Sequence, residues 1–275
     1  MRVELEFVAL EVEDHGDGLP VVLLHGFPLS SEMWSPIRTA VEQVARLITP
    51  DLRGFGGSDK PQGDYGMETL AGDVLRLADR LGVERFVLGG HSMGGYVALR
   101  LAASHAERLA GLILIDTRAS ADTPEGKVRR TVAIERIRRG EAAAFLDEFI
   151  LNLLGESTRA RAPRLATELR ALAAEVPDHV LAGCLAGMRD RPDSVQVLSG
   201  LDLPALVITG QEDALAPPEV AHQMAAALPR GRLALVPLAG HTPSVERPIP
   251  TAEAILAFLR EHFPPPPVAI KPLRS

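Results

Sequence analysis

The sequence has 275 residues, of which 46% are hydrophobic and 24% are charged, and its formal net charge at pH 7 is −7. This is an ordinary composition for a chain with a large buried core, and it excludes a broad basic surface for nucleic acid or an anionic membrane. The single cysteine, Cys184, excludes an internal disulfide, and no apolar run is long enough to cross a membrane. Because residues 1–6 also lack the apolar centre of a signal peptide, we expect a cytoplasmic protein without nucleic-acid or membrane partners.

The first predicted element is a half-exposed antiparallel strand over residues 3–12, where apolar and acidic side chains alternate before a turn at residues 14–18. The strands that follow are short unbroken apolar runs, which suit a parallel sheet covered on both faces. Helical stretches at residues 68–81 and 93–103 separate them, so we predict βαβ units in one twisted, mostly parallel sheet. The unbroken strand runs are residues 21–24, 86–88, 112–115 and 206–208.

The alternation of strand and helix stops over residues 118–199, which contain several helix-like segments and no buried-strand run. We interpret this stretch as a helical cap inserted into an α/β core formed by residues 1–117 and 200–263. Residues 264–275 begin with four prolines, so they form neither helix nor inner strand and are predicted to be a surface tail. The predicted cap helices are residues 128–139, 141–154, 163–174 and 178–188.

The strongest motif is Gly-His-Ser-Met-Gly-Gly at residues 90–95, between a predicted strand and a predicted helix. A sharp strand-to-helix turn exposes the hydroxyl of its central serine, and it needs small neighbours, which Gly90 and Gly94 provide. A tightly packed glycine turn without a catalytic role is the alternative. The strand before and the helix after the motif favour Ser92 as a nucleophile.

At this motif the sequence resembles the α/β-hydrolase superfamily, and other segments match in the family's order. Residues 25–28, His-Gly-Phe-Pro, resemble the family's oxyanion loop. The resemblance implies that the backbone N–H groups of Phe27 and Met93 hold a developing oxyanion.

A second matching segment, residues 51–59, resembles the family's D-x-R-G-x-G-x-S pattern. We assign Asp51 and Arg53 to the shaping of this loop and its neighbour. His25 is likewise expected to brace the oxyanion loop, without transferring protons.

Two further loops supply an acid and a base. Asp213 follows a buried strand at the family's usual acid position, and His241 follows a later strand in a Gly-His pair. The order Ser92, Asp213, His241 is the one expected for this fold, with His241 as general base and Asp213 orienting its imidazole. Asp116, at the end of an earlier strand, is the competing acid, because some family members place the acid there.

A serine at the turn argues against the dehalogenases and epoxide hydrolases of this fold, which use an aspartate nucleophile. Residues 115–118, 121–126, 188–194 and 240–248 resemble a bacterial subgroup of carboxylesterases and 3-oxoadipate enol-lactonases. We therefore predict a hydrolase of small to medium, apolar carboxylic esters that forms an acyl-Ser92 intermediate. An enol-lactonase, a cofactor-free perhydrolase and a ligand-binding receptor with little turnover are the alternatives. Each reading needs a small-molecule substrate or ligand, and none needs a metal or an organic cofactor.

The substrate pocket is predicted where apolar cap residues face the turn. We assign Phe27, Trp34 and Met93 to its floor and rim, and Phe145 and Phe149 to its cap side. An enol-lactonase must hold an anionic substrate and therefore needs a cation in this pocket. The arginines at positions 129, 130, 136, 138 and 139 are interleaved with glutamates, which predicts a solvated helix face instead.

Overall fold

A single eight-stranded sheet runs through the computed structural model, which describes residues 1–264. The predicted tail at 264–275 lies outside the described residues, except for Pro264. In space the strands follow the order β1-β2-β4-β3-β5-β6-β7-β8. The strands are β1 (Arg2–Glu4), β2 (Ala9–His15), β3 (Pro20–Leu24), β4 (Arg46–Pro50), β5 (Phe86–His91), β6 (Leu109–Ile115), β7 (Ala205–Gly210) and β8 (Gly231–Val236).

Residues 3–12 form two strands, where the sequence predicted one. β1 and β2 pair antiparallel with Val3 opposite Leu10, and the chain turns between them through a hydrogen bond from the Leu5 N–H to the Val8 carbonyl. The turn at residues 5–8 contains neither glycine nor proline, so the alternating pattern runs through it without a visible break.

β4 was not predicted, because Arg46, Thr49 and Pro50 interrupt its apolar run. It pairs antiparallel with β2 and parallel with β3, and the pairings β3–β5, β5–β6, β6–β7 and β7–β8 are parallel. The predicted mostly parallel sheet is therefore confirmed, with an antiparallel hairpin at one edge.

The chain reverses its direction of travel across the sheet at β3, whose two neighbours are β4 on one side and β5 on the other. In open parallel sheets, ligands bind at such a switch point, in the crevice outside the carboxyl ends of the strands. The loop that begins at His25 follows β3, and Ser92 follows β5 directly. The topology therefore brings the predicted oxyanion loop and nucleophile to one crevice.

Twelve α-helices flank the sheet or extend from it within residues 1–264. Six of them are α4 (Pro124–Arg138), α5 (Ala142–Leu153), α6 (Glu156–Arg161), α7 (Arg164–Ala174), α8 (Asp178–Asp190) and α9 (Val195–Ser199). They all lie in the segment between β6 and β7, in which the described structure contains no strand. The other six are α1 (Ser35–Glu42), α2 (Met67–Arg80), α3 (Met93–His105), α10 (Pro218–Ala227), α11 (Pro243–Glu246) and α12 (Pro248–His262).

Within the segment predicted to be a cap, α4 packs against α8 and α5 packs against α7. That residues 118–199 form a separate unit remains a prediction. None of the helices in residues 1–264 combines the length and the hydropathy needed to cross a bilayer.

Candidate active site

Ser92 lies in the sharp turn between β5 and α3, with a backbone φ of 50° and ψ of −111°. A non-glycine residue in such a sparsely populated conformation costs about 1–3 kcal/mol, so the surrounding structure must hold it in place. The Ser92 N–H donates to the Ile115 carbonyl at 2.9 Å, and the Thr117 hydroxyl donates to the Ser92 carbonyl at 2.8 Å. These bonds attach the strained turn to β6 and to the loop that follows it.

The two glycines of the motif are required by close backbone contacts. A Cβ at Gly90 would lie 2.2 Å from the Gly94 carbonyl oxygen, and one at Gly94 would lie 2.4 Å from the Leu24 carbonyl oxygen. Backbone atoms cannot yield at such distances. β3, β5 and α3 therefore meet this closely only because neither position carries a side chain.

The structure brings Ser92, His241 and Asp213 together. His241 Nε2 lies 2.8 Å from Ser92 Oγ, and His241 Nδ1 lies 2.8 Å from Asp213 Oδ2. His241 and Asp213 are buried, with 4% and 3% of their surfaces exposed. In this order the imidazole can accept the hydroxyl proton on one nitrogen while its other N–H donates to a carboxylate.

The second oxygen of Asp213 accepts two backbone N–H groups, from Leu215 at 2.8 Å and Ala216 at 3.0 Å. Burial acts to raise the pKa of the Asp213 carboxyl, but the neighbouring His241 and the hydrogen bonds outweigh it and lower this pKa. Asp213 is therefore an anion that faces the imidazole.

Asp116, the competing acid, has a carboxyl oxygen within 4.8 Å of a carboxyl oxygen of Asp213. Its Oδ1 accepts the Thr209 hydroxyl at 3.0 Å and the Gly210 N–H at 2.9 Å, while its Oδ2 has no hydrogen-bond partner among the described residues. Burial, followed by the charge of Asp213, raises the pKa of the Asp116 carboxyl well above its usual value. Because His241 Nδ1 faces Asp213 Oδ2 and the surroundings of Asp116 disfavour its charged form, the geometry favours Asp213 as the partner of the histidine.

Donor atoms of Asp116, Asp213 and His241 lie within 4.8 Å of one another, the only such group of metal-ligating side chains in residues 1–264. A cation site would need free lone pairs on the two carboxyl groups and on the imidazole. Here both nitrogens of His241 face other partners, and one oxygen of Asp213 already accepts two backbone N–H groups. The set therefore fits proton transfer better than metal binding.

The two backbone N–H groups predicted to hold an oxyanion belong to the loop after β3 and to the start of α3. Phe27 follows β3, and Met93 is the first residue of α3. Neither N–H donates a backbone hydrogen bond within residues 1–264. Both groups are therefore available to an incoming acceptor.

His25 braces the loop that carries Phe27. Its Nδ1–H donates to the Gly26 carbonyl at 3.0 Å, and its Nε2 accepts the Leu52 N–H at 2.9 Å. Burial lowers the pKa of His25, so the ring is neutral and occupied at both nitrogens. This arrangement agrees with a structural role for the histidine.

Asp51 and Arg53 also contact backbone and neighbouring helices and lie outside the triad. The Asp51 carboxylate accepts the Ser31 N–H at 2.7 Å and the Gly57 N–H at 2.8 Å. Arg53 makes two bonds to the buried Asp73 on α2, at 2.7 and 2.9 Å. Both side chains hold loops in position, as the sequence analysis expected.

Ser92 and His241 open onto a cavity of about 290 Å³. Phe27, Phe145 and Phe149 form one wall. The ring centroid of Phe149 lies 5.5 Å from that of Phe27 and 5.5 Å from that of Phe145. Ligand pockets in proteins start at about this size, so the cavity suits a small or medium substrate.

Known proteins share this fold. The family model described as alpha/beta hydrolase fold matches residues 20–133, and a second model, described as TAP-like protein, matches residues 178–267. The AB hydrolase superfamily protein YisY of Bacillus subtilis (strain 168) is 30% identical over 247 residues, which are 86% of this chain and 90% of that protein. This chain belongs to the α/β-hydrolase family.

Solved structures of related hydrolases superpose closely. A thermophilic esterase from Thermogutta terrifontis, with malate bound, has a TM-score of 0.91 and 41% identity, covering 95% of this hydrolase and 99% of that chain. The enol-lactonase from Burkholderia xenovorans LB400 has a TM-score of 0.86 and 27% identity, and the match covers 94% of this hydrolase and 99% of that chain. The predicted fold and the resemblance to esterases and lactonases are confirmed.

Two residues assigned to the pocket from sequence do not line it. Trp34 is fully buried, and its ring lies edge-on to His91 with 6.5 Å between centroids. The Met93 side chain is also fully buried in the hydrophobic core of the hydrolase. Apolar character alone did not distinguish a core residue from a pocket residue, although Phe27, Phe145 and Phe149 do line the cavity.

The interpretation of the arginine-rich segment as a solvated face is correct only in part. Arg136 and Arg139 pair with glutamates, and Arg129 is exposed as predicted, but Arg129 and the half-buried Arg130 also line the cavity. They do so together with Gly126 and Ala133, and this i, i+3, i+4, i+7 spacing marks one helix face. The sequence analysis did not assign Tyr96 or Arg118 to the pocket, although Arg118 ends the segment 115–118 that resembles the esterase and lactonase subgroup.

Glutamates beside the acid and the base hold the segment between α5 and α6. Glu212 accepts the Ser157 N–H at 2.8 Å, and Glu246 accepts the Gly155 N–H at 2.9 Å and the Gly240 N–H at 2.9 Å. The His241 N–H also donates to the Leu153 carbonyl at 2.8 Å. The loops that position Asp213 and His241 are therefore attached to the end of α5 and the start of α6.

The roles of the two aspartates can be separated by matched amide substitutions. Asp213→Asn should lower kcat/KM for an ester by about 10⁴-fold, because the amide cannot stabilise the imidazolium or keep the required tautomer. Asp116→Asn should cost far less, since an amide reproduces a neutral acid that accepts from Thr209 and Gly210. Steady-state kinetics on both purified variants, with circular dichroism as a check of folding, measures the difference. A larger loss in Asp116→Asn would contradict the assignment.

His91 should make the folded state sensitive to acid. Burial, with a smaller effect from His241, lowers the pKa of His91 to about 3, whereas an unfolded histidine has a pKa of about 6.5. Below pH 6.5 the unfolded chain then binds a proton that the folded chain does not, so stability falls as the pH falls. The free energy of unfolding, measured with urea between pH 8 and pH 5, should therefore change with pH. His91→Gln should reduce the slope of this free energy against pH by up to about 1.4 kcal/mol per pH unit.

The wild-type protein must be compared with the His91→Gln variant, because Asp116 changes the stability of the fold with pH in the opposite direction to His91. Its raised pKa means that the folded chain takes up a proton first, which stabilises the fold as the pH falls. Since both proteins retain Asp116, the difference between their slopes isolates His91. Parallel slopes would show that His91 is not kept neutral by burial.

Proposed function

We propose that this hydrolase cleaves carboxylic esters through an acyl-Ser92 intermediate. The observation that carries the proposal is the pair of 2.8 Å contacts that connect Ser92, His241 and Asp213 at the edge of a cavity. A serine hydroxyl is a weak nucleophile until a neighbouring base can take its proton, and His241 Nε2 is within reach to do so.

In the first half of the reaction, Ser92 Oγ attacks the ester carbonyl as its proton moves to His241 Nε2. The carbonyl oxygen becomes an anion that the N–H groups of Phe27 and Met93 can stabilise. The Asp213 carboxylate stabilises the imidazolium. When the tetrahedral intermediate collapses, His241 returns the proton to the leaving alkoxide, and the acyl group remains on Ser92.

In the second half, a water molecule takes the place of the alcohol. His241 removes a proton from this water as it attacks the acyl carbon, and the same N–H groups stabilise the second oxyanion. Collapse breaks the bond to Ser92 Oγ, which recovers the proton from His241 and releases a carboxylic acid. A lactone would follow the same steps, except that its leaving alcohol stays attached to the acyl group.

The shape of the cavity supports small to medium substrates. Its volume is about 290 Å³, and the three phenylalanines provide an apolar wall for an acyl chain or an alcohol group. A long acyl chain would have to extend into solvent, where it gains nothing from burial.

The proposal is tested with 4-nitrophenyl esters of increasing acyl length and an enol-lactone. Wild-type protein should prefer short to medium acyl groups, and Ser92→Ala should lower kcat on the order of 10⁶-fold while it leaves the fold intact. Ser104→Ala is a matched control, because Ser104 lies on the same helix but is exposed and outside the cavity.

An enol-lactone as the only substrate would change the assignment to a lactonase. Retention of most ester turnover in Ser92→Ala would contradict the nucleophile. Absence of turnover by folded wild-type protein would contradict the proposal and favour the ligand-binding alternative.

A further inference from the structure

The cavity beside Ser92 is lined by more positive than negative charge, although the chain as a whole has a net charge of −7. Three arginines line it: Arg129 and Arg130 on α4, and Arg118 on the loop after β6. One carboxylate, that of Asp122, lines it as well. An excess of arginines in a cleft with apolar walls concentrates a positive potential there.

Arg130 and Asp122 neutralise each other and form part of the wall. The Arg130 guanidinium bonds to one oxygen of Asp122 at 2.5 Å, and Arg191 bonds to the other at 2.8 Å. Arg191 is buried, and its guanidinium also lies over the ring of Tyr96 at 3.9 Å. Two arginines therefore share this one carboxylate, which leaves no negative charge for a third.

Arg118 and Arg129 form no direct ion pair among the described residues. No acidic oxygen of residues 1–264 lies within 4.0 Å of either guanidinium, although Glu125, one turn before Arg129 on α4, is close enough to interact with its charge. Arg118 is half-buried, whereas Arg129 is exposed at the edge of the cavity. Arg118 donates one hydrogen bond, to the Leu215 carbonyl, which fixes its side chain against the cavity. The remaining N–H groups of both side chains are available to a ligand.

We propose that Arg118 and Arg129 form an anion subsite, and that the preferred esters carry a carboxylate away from the scissile bond. This proposal rests on the proposed ester hydrolysis and specifies its substrate class. Neither arginine makes a hydrogen bond to Ser92 or His241, so the subsite binds the substrate without taking part in proton transfer. The phenylalanine wall holds the apolar part of the substrate, and the two guanidinium groups hold its charged end.

Matched substrates test the charge preference. One pair places the carboxylate on the acyl side, mono-4-nitrophenyl adipate against 4-nitrophenyl hexanoate. The other places it on the alcohol side, 3-acetoxybenzoate against its methyl ester. Arg129→Gln should reduce the ratio of kcat/KM for the anionic over the neutral member of at least one pair about tenfold, mainly through KM. The affected pair identifies the side that carries the charge.

Arg138→Gln is the control for the loss of a charge from α4. Arg138 is nine residues after Arg129, which places it on the opposite side of the helix, and it does not line the cavity. Arg138→Gln should leave the ratio of kcat/KM for the anionic over the neutral substrate unchanged in both pairs. If Arg129→Gln and Arg138→Gln lowered this ratio equally, the cause would be the loss of one positive charge from α4 in general, and the proposed subsite would be overturned.

Binding to the Ser92→Ala protein separates this inference from the proposed function. Calorimetry should show that mono-4-nitrophenyl adipate binds about tenfold more weakly when Arg129→Gln is added, and also more weakly as NaCl is raised. If wild-type protein turns over no ester but this binding depends on Arg129, the hydrolysis proposal fails and the subsite stands. If neutral esters are hydrolysed and Arg129→Gln changes neither binding nor either ratio, the subsite is overturned.

Discussion

The close approach of β3, β5 and the start of α3 is the constraint on which the rest of the site depends. It places Ser92 at a positive φ, and it is possible only because Gly90 and Gly94 have no side chains. The strained turn aims the Ser92 hydroxyl out of the sheet and positions the first N–H of α3 beside it. A nucleophile and an oxyanion donor therefore arise from one backbone conformation, which the sheet holds in place.

The other catalytic groups have to reach this point from further along the sheet. β8, which precedes His241, is three strands from β5, a separation of about 14 Å at normal strand spacing. The loop after β8 crosses that distance, and several bonds hold its end. His91, next to Ser92, bonds to the His241 carbonyl, and Glu246 accepts the N–H groups of Gly240 and Thr242.

Features that depend on a local pattern could be predicted from sequence. The central parallel strands, the turn at Ser92 and the chain order of serine, acid and histidine all follow from short motifs and apolar runs. The hairpin at residues 5–8 and strand β4 were missed because their patterns are interrupted or lack turn residues. The pocket depends on how α4 and α5 pack over the sheet, so Trp34 and Met93 were misplaced and Tyr96 and Arg118 were not found.

The choice between the two aspartates shows what the fold adds to the residue types. Asp116 and Asp213 both end buried strands, and sequence alone left both as candidates for the acid. Two like charges this close and this deeply buried cannot both persist, so the surroundings determine which carboxyl ionises. Asp213 is stabilised as an anion by a histidine and two N–H groups, whereas one oxygen of Asp116 has no partner among the described residues.

Hydrogen bonds connect the end of α5 and the start of α6 to the loops of the acid and the base. Glu212 and Glu246 hold residues 155–157 against the loops of the acid and the base, so the end of α5 cannot shift without disturbing the triad. No such bond connects Arg129 to these loops within the described residues, and α4 rests mainly on α8. Substitutions on the cavity face of α4 can therefore alter which substrate is held while the bonds that align Ser92, His241 and Asp213 are preserved.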